Sequence, residues 1–113
     1  MNVYFIKSDR YLKVGKAKDV ESRMAELQVG NPVKLHLFGI IKCKSERHAF
    51  DMESRFHNWL KRHAHRGEWF NFNEAVKNRV LGWMMEFGGH GDYYFPPDLD
   101  LLPEGAREHL SAL

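Results

Sequence analysis

The first fifteen residues constrain the fold most strongly, because only a short polar segment there separates two β-like runs. Residues 3–7 and 11–15 are rich in apolar and aromatic side chains, and the polar residues between them are typical of a turn. The pattern predicts an antiparallel hairpin. With residues 8–9 as its turn, Tyr4 lies opposite Lys13 on one face of the sheet. The other face is predicted to be core, formed by Val3, Phe5, Leu12 and Val14.

Three helices are predicted from capping residues and apolar periodicity. Asp19, Ser45 and Asn73 are each placed to cap the start of one helix. We expect the first helix to run to about residue 29, the second to about residue 65 and the third to about residue 87. Between the first two helices, residues 33–43 alternate and then become apolar, as a third or a central strand would. Strands and helices together indicate a small α/β domain.

The length of 113 residues fits one domain with one hydrophobic core. We expect this domain to cover residues 1–87, with the aromatic stretch 67–72 packed onto the core. Residues 88–113 are expected to form a C-terminal extension that packs on the domain, on a second copy of the chain or on a protein partner.

The sequence favours a soluble protein in an intracellular, reducing compartment. No apolar run approaches the ~20 residues of a membrane span. The N-terminus lacks the features of a secretory signal, and the single Cys43 cannot form an internal disulfide. We therefore expect an intracellular, cytoplasmic protein.

Charge is distributed unevenly along the chain. Residues 1–72 contain 14 lysines and arginines against 8 acidic residues, a net charge of +6. Residues 73–113 contain 3 against 7, a net charge of −4. A basic surface attracts phosphate-bearing partners, so the first part of the chain is compatible with nucleic-acid binding, although it also fits an ordinary solvated surface.

Two charged residues fall on or beside the apolar stripes of the predicted helices. Glu53 follows Ala49 by one turn, so its carboxylate needs a cation, a metal ion or hydrogen bonds. Arg23 has the same kind of position on the first helix, where it would bond a carboxylate such as Glu53 or clamp a phosphate. Taken alone, these two residues favour an ion pair over a functional site.

The predicted hairpin adds two further candidates. Lys13 opposite Tyr4 would favour the ionised form of the phenol, on a face to which the helices can bring Arg23 and Glu53. These four side chains are the kinds that a phosphoryl-transfer site requires. His57 lies one turn after Glu53 and either reaches the same site or lies on the helix surface.

Several of these residues occur in an order that resembles the GIY-YIG nuclease superfamily, and within it the phage T5 open-reading-frame branch, also known from a fungal meiotically up-regulated protein. The similarity covers about residues 3–72. It is carried by Val3-Tyr4-Phe5-Ile6, Lys13-Val14-Gly15-Lys16, Arg23, Leu27-Gln28, Gly30-Asn31-Pro32, Glu53, Phe56-His57 and Gly67-Glu68-Trp69-Phe70.

The resemblance implies a fold and a mechanism. The fold would be α+β, a small three-stranded antiparallel sheet flanked by helices, and the reaction phosphodiester hydrolysis with a single Mg²⁺ or Mn²⁺. Tyr4 would help to deprotonate the attacking water, Arg23 would stabilise the pentavalent phosphate, and Glu53 would hold the metal. Gly15 would be the second-motif glycine, which allows a close approach of backbone or substrate.

The sequence departs from the family pattern in three places. Lys13 stands where the second motif normally has tyrosine, as in some restriction enzymes of the superfamily. Val3 replaces the residues that usually precede the first-motif tyrosine. The late asparagine has two candidate counterparts, Asn71 and Asn73. The lysine would orient water or favour the Tyr4 phenolate, or else would mark a domain that binds without cutting.

Three functions are therefore considered: a metal-dependent endonuclease acting on nucleic acid, with DNA expected; a nucleic-acid-binding module that has lost the chemistry; and a protein-interaction domain that uses the C-terminal extension to bind a second copy of the chain or a protein partner. The predicted catalytic residues are Tyr4, Lys13, Arg23, Glu53 and His57. The predicted substrate-binding residues are Gly15, Lys16, Lys18, Asn31, Arg62 and Arg66.

Overall fold

A five-stranded antiparallel sheet forms the centre of the protein, whose computed structural model describes residues 1–89. The strands are β1 (Asn2–Ser8), β2 (Tyr11–Ala17), β3 (His36–Lys42), β4 (Ala64–Arg66) and β5 (Trp69–Asn71). Their order across the sheet is β3-β1-β2-β5-β4, so β2 lies in the middle. The third strand predicted within residues 33–43 is confirmed, but it lies at an edge of the sheet and not in its centre.

The expectation of three strands is wrong, because β4 and β5 form a second short hairpin. Gly67 turns the chain between them with a φ of 57°, a conformation that glycine adopts without strain. Trp69 of β5 pairs with Lys13 of β2, which extends the sheet past the first hairpin. Residues 69–71 of the aromatic stretch are thus part of the sheet, and Phe70 is buried in the core.

Three helices flank the sheet: α1 (Val20–Gln28), α2 (Glu46–Leu60) and α3 (Glu74–Glu86). The predicted caps are confirmed, since the side chains of Asp19, Ser45 and Asn73 each accept a hydrogen bond from a backbone N–H of the first turn. The end predicted for α2 near residue 65 is wrong. A 3₁₀ turn (Lys61–His63) follows α2, and the next residues pair with β5 instead of continuing the helix.

The first hairpin has a different register from the predicted one. Its turn is formed by residues 9–10, with Asp9 at a φ of 54°, a left-handed conformation that aspartate tolerates better than most residues. Tyr4 therefore lies opposite Gly15 and not opposite Lys13, whose partner is Ile6. A shift by a whole residue pair leaves every side chain on its predicted face.

Each face of the sheet carries its own hydrophobic core. The large core joins Val3, Phe5, Leu12 and Val14 to α2 and α3, and its face was predicted correctly. The small core consists of Tyr4, Ile6, Val20, Leu35 and Ile40, with Met24 and Leu27 of α1 packed against it. The sheet thus has two packed faces of unequal size.

The C-terminal extension predicted for residues 88–113 lies outside the described residues from residue 90 onward. Within the described part of the chain, none of the helices is long and apolar enough to cross a membrane.

Candidate active site

Tyr4 and Gly15 form one half of the candidate site. Tyr4 is only 1% exposed, and its ring lies directly over the Gly15 backbone across the β1–β2 pair. A Cβ atom at position 15 would overlap the Tyr4 hydroxyl and ring, so the packing of this tyrosine requires glycine. The close approach expected of the second-motif glycine is therefore made by Tyr4.

Arg23 on α1 lies beside the Tyr4 hydroxyl. Hydrogen bonding with the Tyr4 side chain raises the pKa of the Arg23 guanidinium, and Glu26 adds to this effect. Its Nη1 donates to Glu26 Oε2 over 2.9 Å, and 43% of the side chain is exposed. The ion pair with Glu53 that was left open from the sequence is not formed, because Arg23 is paired one turn along its own helix.

The other half of the site is a group of three potential metal ligands. Glu53, His57 and Glu68 each offer one donor atom, and these atoms all lie within 4.8 Å of one another. Glu53 and His57 are one turn apart on α2, so they share a face of that helix. Glu68 comes from the turn between β4 and β5. Two carboxylates and an imidazole form a donor set that suits a divalent cation.

A backbone hydrogen bond orients the His57 ring. Its Nε2 lies 2.8 Å from the carbonyl oxygen of Val14. A carbonyl only accepts, so Nε2 carries the hydrogen and Nδ1 of the neutral ring keeps its lone pair. Metal-binding histidines commonly hold one nitrogen in this way and offer the other to the ion.

Glu53 lies in an environment that penalises its negative charge. Partial burial raises the pKa of its carboxyl, and the neighbouring Glu68 raises it further. His57, Lys16 and Lys13 oppose the shift without cancelling it. Two carboxylates that repel each other in a partly dry position would be stabilised by a cation held between them.

Lys13 belongs to the Glu68 side of the site. Its Nζ donates to Glu68 Oε2 over 2.9 Å, and only 9% of the side chain is exposed. The same Nζ lies 5.5 Å from the centre of the Trp69 ring. Lys13 therefore fixes the second carboxylate instead of facing Tyr4, which corrects the arrangement predicted from the hairpin.

The two halves meet along β2. Strand β5 pairs with β2 only as far as Lys13, so residues 14–17 lack a strand neighbour on that side. Gly15 lies under Tyr4, the Val14 carbonyl bonds His57, and Lys16 is near enough to Glu53 to affect its pKa. Helices on opposite faces of the sheet thus deliver their side chains to one stretch of strand.

The predicted substrate-binding residues separate into groups. Lys16 lies by Glu53, whereas Lys18 lines a cavity at the start of α1. Asn31 and Arg66 line a different cavity, beside Trp69. Arg62 is exposed on the 3₁₀ turn and lines neither cavity.

Neither candidate for the late asparagine belongs to the ligand group. The side chain of Asn73 caps α3, and Asn71 is exposed on β5 opposite Tyr11. The residue that sequence reasoning missed is Glu68. It was noted only within the stretch 67–70, although a carboxylate between a turn glycine and buried aromatic residues was a signal.

The comparisons with known proteins give one match. The family model described as the T5orf172 domain matches residues 1–85, three quarters of the chain. This chain belongs to the T5orf172 domain family. The family is part of the GIY-YIG-like nuclease superfamily, so the resemblance noted from the motifs is confirmed. No curated protein and no solved structure matches this T5orf172 domain.

Proposed function

We propose that this T5orf172 domain is a metal-dependent endonuclease that hydrolyses phosphodiester bonds of nucleic acid, with DNA as the expected substrate. The observation that carries the proposal is the ligand group of Glu53, His57 and Glu68, whose donor atoms lie within 4.8 Å of one another. The group adjoins the strand that holds Tyr4 over Gly15. Nuclease-related family membership supports the same reading.

The three ligands suit Mn²⁺ at least as well as Mg²⁺. Mg²⁺ prefers oxygen ligands, whereas Mn²⁺ accepts carboxylates and also, more readily than Mg²⁺, an imidazole nitrogen. When bound, the ion supplies Lewis-acid activation of the phosphate and neutralises developing charge. Glu53 and Glu68 would hold it through oxygen, and His57 through the nitrogen that does not bond Val14.

The remaining residues have roles that follow from their positions. Arg23 is half-exposed with a planar fork, so it can bind the phosphate and stabilise its charge in the transition state. The Tyr4 hydroxyl beside it would orient the attacking water and help to remove its proton. Lys13 would keep Glu68 aligned for the metal through their ion pair.

Cleavage assays with matched variants test the proposal. Wild type, Glu53→Gln and Glu46→Gln would be incubated with supercoiled DNA, single-stranded DNA and RNA in Mg²⁺, Mn²⁺ or EDTA. Glu46 is an exposed residue of the same helix and lies outside the ligand group, so it serves as the control. We expect metal-dependent cleavage by wild type and Glu46→Gln, and a rate lower by about 100-fold or more in Glu53→Gln.

Two outcomes would contradict the proposal. Equal cleavage by folded Glu53→Gln would remove the metal site from the mechanism. Binding of nucleic acid by wild type without cleavage in any metal would identify a binding module that keeps the fold without the chemistry.

A further inference from the structure

We propose that the cavity beside Trp69 binds one unpaired nucleotide of the substrate strand, next to the cleavage site. The inference rests on the proposed function and narrows its substrate to single-stranded or locally unpaired nucleic acid. The cavity has a volume of about 260 Å³. It is lined by Ser8, Tyr11, Asn31, His65, Arg66 and Trp69, none of which is acidic.

Trp69 connects this cavity to the candidate active site. Its ring forms part of the cavity wall and also lies 5.5 Å from Lys13 Nζ, which bonds Glu68 of the ligand group. Trp69 and Lys13 are also direct partners across the β2–β5 pair. A strand whose phosphate lies at the ligand group is therefore within reach of the cavity through its neighbouring nucleotide.

The cavity offers aromatic surface for a base. Trp69 and Tyr11 are both partly exposed, and Tyr11 stacks on His65 with ring centres 4.2 Å apart. The stack holds the tyrosine ring in place before any ligand arrives, so less side-chain freedom is lost on binding. Aromatic side chains bind bases by stacking with little preference for sequence.

Arg66 and Asn31 supply donors at the same cavity. The exposed guanidinium of Arg66 forms no ion pair within residues 1–89, so its fork is available to a phosphate. The Asn31 Oδ1 accepts from the Val33 N–H over 3.0 Å, which fixes the side-chain amide. The amide NH₂ then remains to donate to a base edge or a sugar oxygen.

The size of the cavity selects an unpaired nucleotide. A volume of about 260 Å³ lies just below the ~300 Å³ at which pockets for small ligands begin, so it can take up a single base but not a base pair. A paired base would have to leave its stack before it could enter. The larger cavity at the start of α1 is less suited to a nucleotide, because none of the described aromatic residues lines it and its lysines, Lys18 and Lys42, are balanced by Asp19 and Glu21.

Binding measurements without metal test the proposal. Fluorescence anisotropy with a labelled single-stranded oligothymidylate and with a duplex of equal length would be recorded in EDTA, which prevents cleavage. The full-length variants are Arg66→Gln, Tyr11→Leu and the control Arg79→Gln. Arg79 is an exposed arginine on α3, far along the chain and outside this cavity.

We expect Tyr11→Leu to weaken single-strand binding by between about 5- and 150-fold, the range for loss of one base–aromatic stack. Arg66→Gln should make the negative slope of log binding constant against log salt concentration shallower by about 0.7, the share of one phosphate contact to a single strand. Arg79→Gln should leave both quantities unchanged, and the duplex should respond less than the single strand to Tyr11→Leu and Arg66→Gln.

A second readout guards against a folding defect. Trp69→Phe keeps a ring in the wall but should abolish the quenching of tryptophan fluorescence by the oligonucleotide, because Trp59 and Trp83 do not line the cavity. The proposal is overturned if Tyr11→Leu and Arg66→Gln bind as wild type does, or if Arg79→Gln weakens binding equally. If wild type cleaves with metal but those binding results are obtained, the nuclease proposal stands and only the cavity proposal is rejected. If Tyr11→Leu and Arg66→Gln selectively lose single-strand binding but wild type cleaves in no metal, the cavity proposal stands and the nuclease proposal is rejected.

Discussion

The two faces of the sheet differ in how they are packed. On the large-core face, Phe56 stacks on Trp83 with centroids 4.3 Å apart and contacts Phe5 at 5.6 Å. On the small-core face, Val20 is the only residue of helix α1 that is buried. One face is therefore covered by two helices and a dense aromatic cluster, and the other by a single helix that stays half in solvent.

The difference indicates which face of the sheet contributes most to stability and which face is accessible from solvent. Tyr4 and Arg23 lie on the thinly covered face, where the half-exposed Arg23 side chain can be reached without opening the large core. Glu53 and His57 belong to α2 on the large-core face, yet they lie toward residues 14–17 of β2, which have no strand neighbour on the β5 side. The well-packed helix α2 thus carries two of the three potential metal ligands, while Arg23, which we propose to bind the phosphate, comes from the more exposed helix.

The largest expected effect concerns the aromatic cluster. Phe56→Ala should lower the free energy of unfolding by about 3–5 kcal/mol, because it opens a cavity in a close-packed core. Met24→Ala, which removes a half-buried side chain of α1, should cost only about 1 kcal/mol. Urea denaturation measures both, and equal losses would contradict the proposed difference between the faces.

Gly15→Ala should reduce both the stability of the protein and its cleavage activity. The added Cβ would displace the Tyr4 ring, with a destabilisation of about 1–3 kcal/mol and reduced cleavage by the protein that remains folded. Gly82→Ala is the control, since a Cβ meets nothing there and a glycine-to-alanine change inside α3 should stabilise by about 0.5–1 kcal/mol. Cleavage assays and thermal melts of the two variants would separate packing from chemistry, and normal cleavage by Gly15→Ala would argue against a role for Tyr4.

A smaller effect is expected from Glu53 in the metal-free protein. Because the pKa of its carboxyl is raised in the folded state, the wild type loses stability as pH rises from below the ordinary value of 4.5 through the folded value. Glu53→Gln lacks this titration, so its stability relative to wild type should increase over that pH range in EDTA. A difference that stays constant with pH would show that the carboxyl is not penalised.

The smallest effect is expected at the start of α1. Hydrogen bonds from the backbone and hydroxyl of Ser22 lower the pKa of Asp19, so its stabilising contribution is present above the ordinary value of 3.8 and is lost as pH falls through the folded value. Asp19→Asn keeps a capping oxygen without the charge. Amide exchange of α1 should therefore depend less on acid in the variant, while α3, capped by Asn73, should respond equally in both proteins.

Local sequence signals were sufficient for the starts of the helices. Asp19, Ser45 and Asn73 cap as predicted, because their side chains act on backbone N–H groups only three residues away. The register of the first hairpin was not determined in the same way, since either Ser8 or Asp9 is acceptable as the first residue of a two-residue turn. The left-handed backbone at Asp9 decided it.

The parts that could not be predicted depend on contacts between distant segments. The strands β4 and β5 have three residues each, too few to show an alternating pattern, and they exist because β5 pairs with β2. Glu68 joins Glu53 and His57 only after that pairing has formed. Glu53 itself could be singled out as a candidate site residue, because its position beside an apolar stripe is a local feature of one helix.

Binding of Mn²⁺ to the metal-free protein tests the central claim most directly. Mn²⁺ would be titrated into wild type, Glu53→Gln and the control Glu46→Gln, and the free ion followed by electron paramagnetic resonance. The account predicts a tight site for one ion per chain in wild type and Glu46→Gln, lost in Glu53→Gln at matched folding. A wild type that binds no ion tightly, or a Glu53→Gln variant that binds it as well as wild type, would contradict the metal centre on which the proposed nuclease depends.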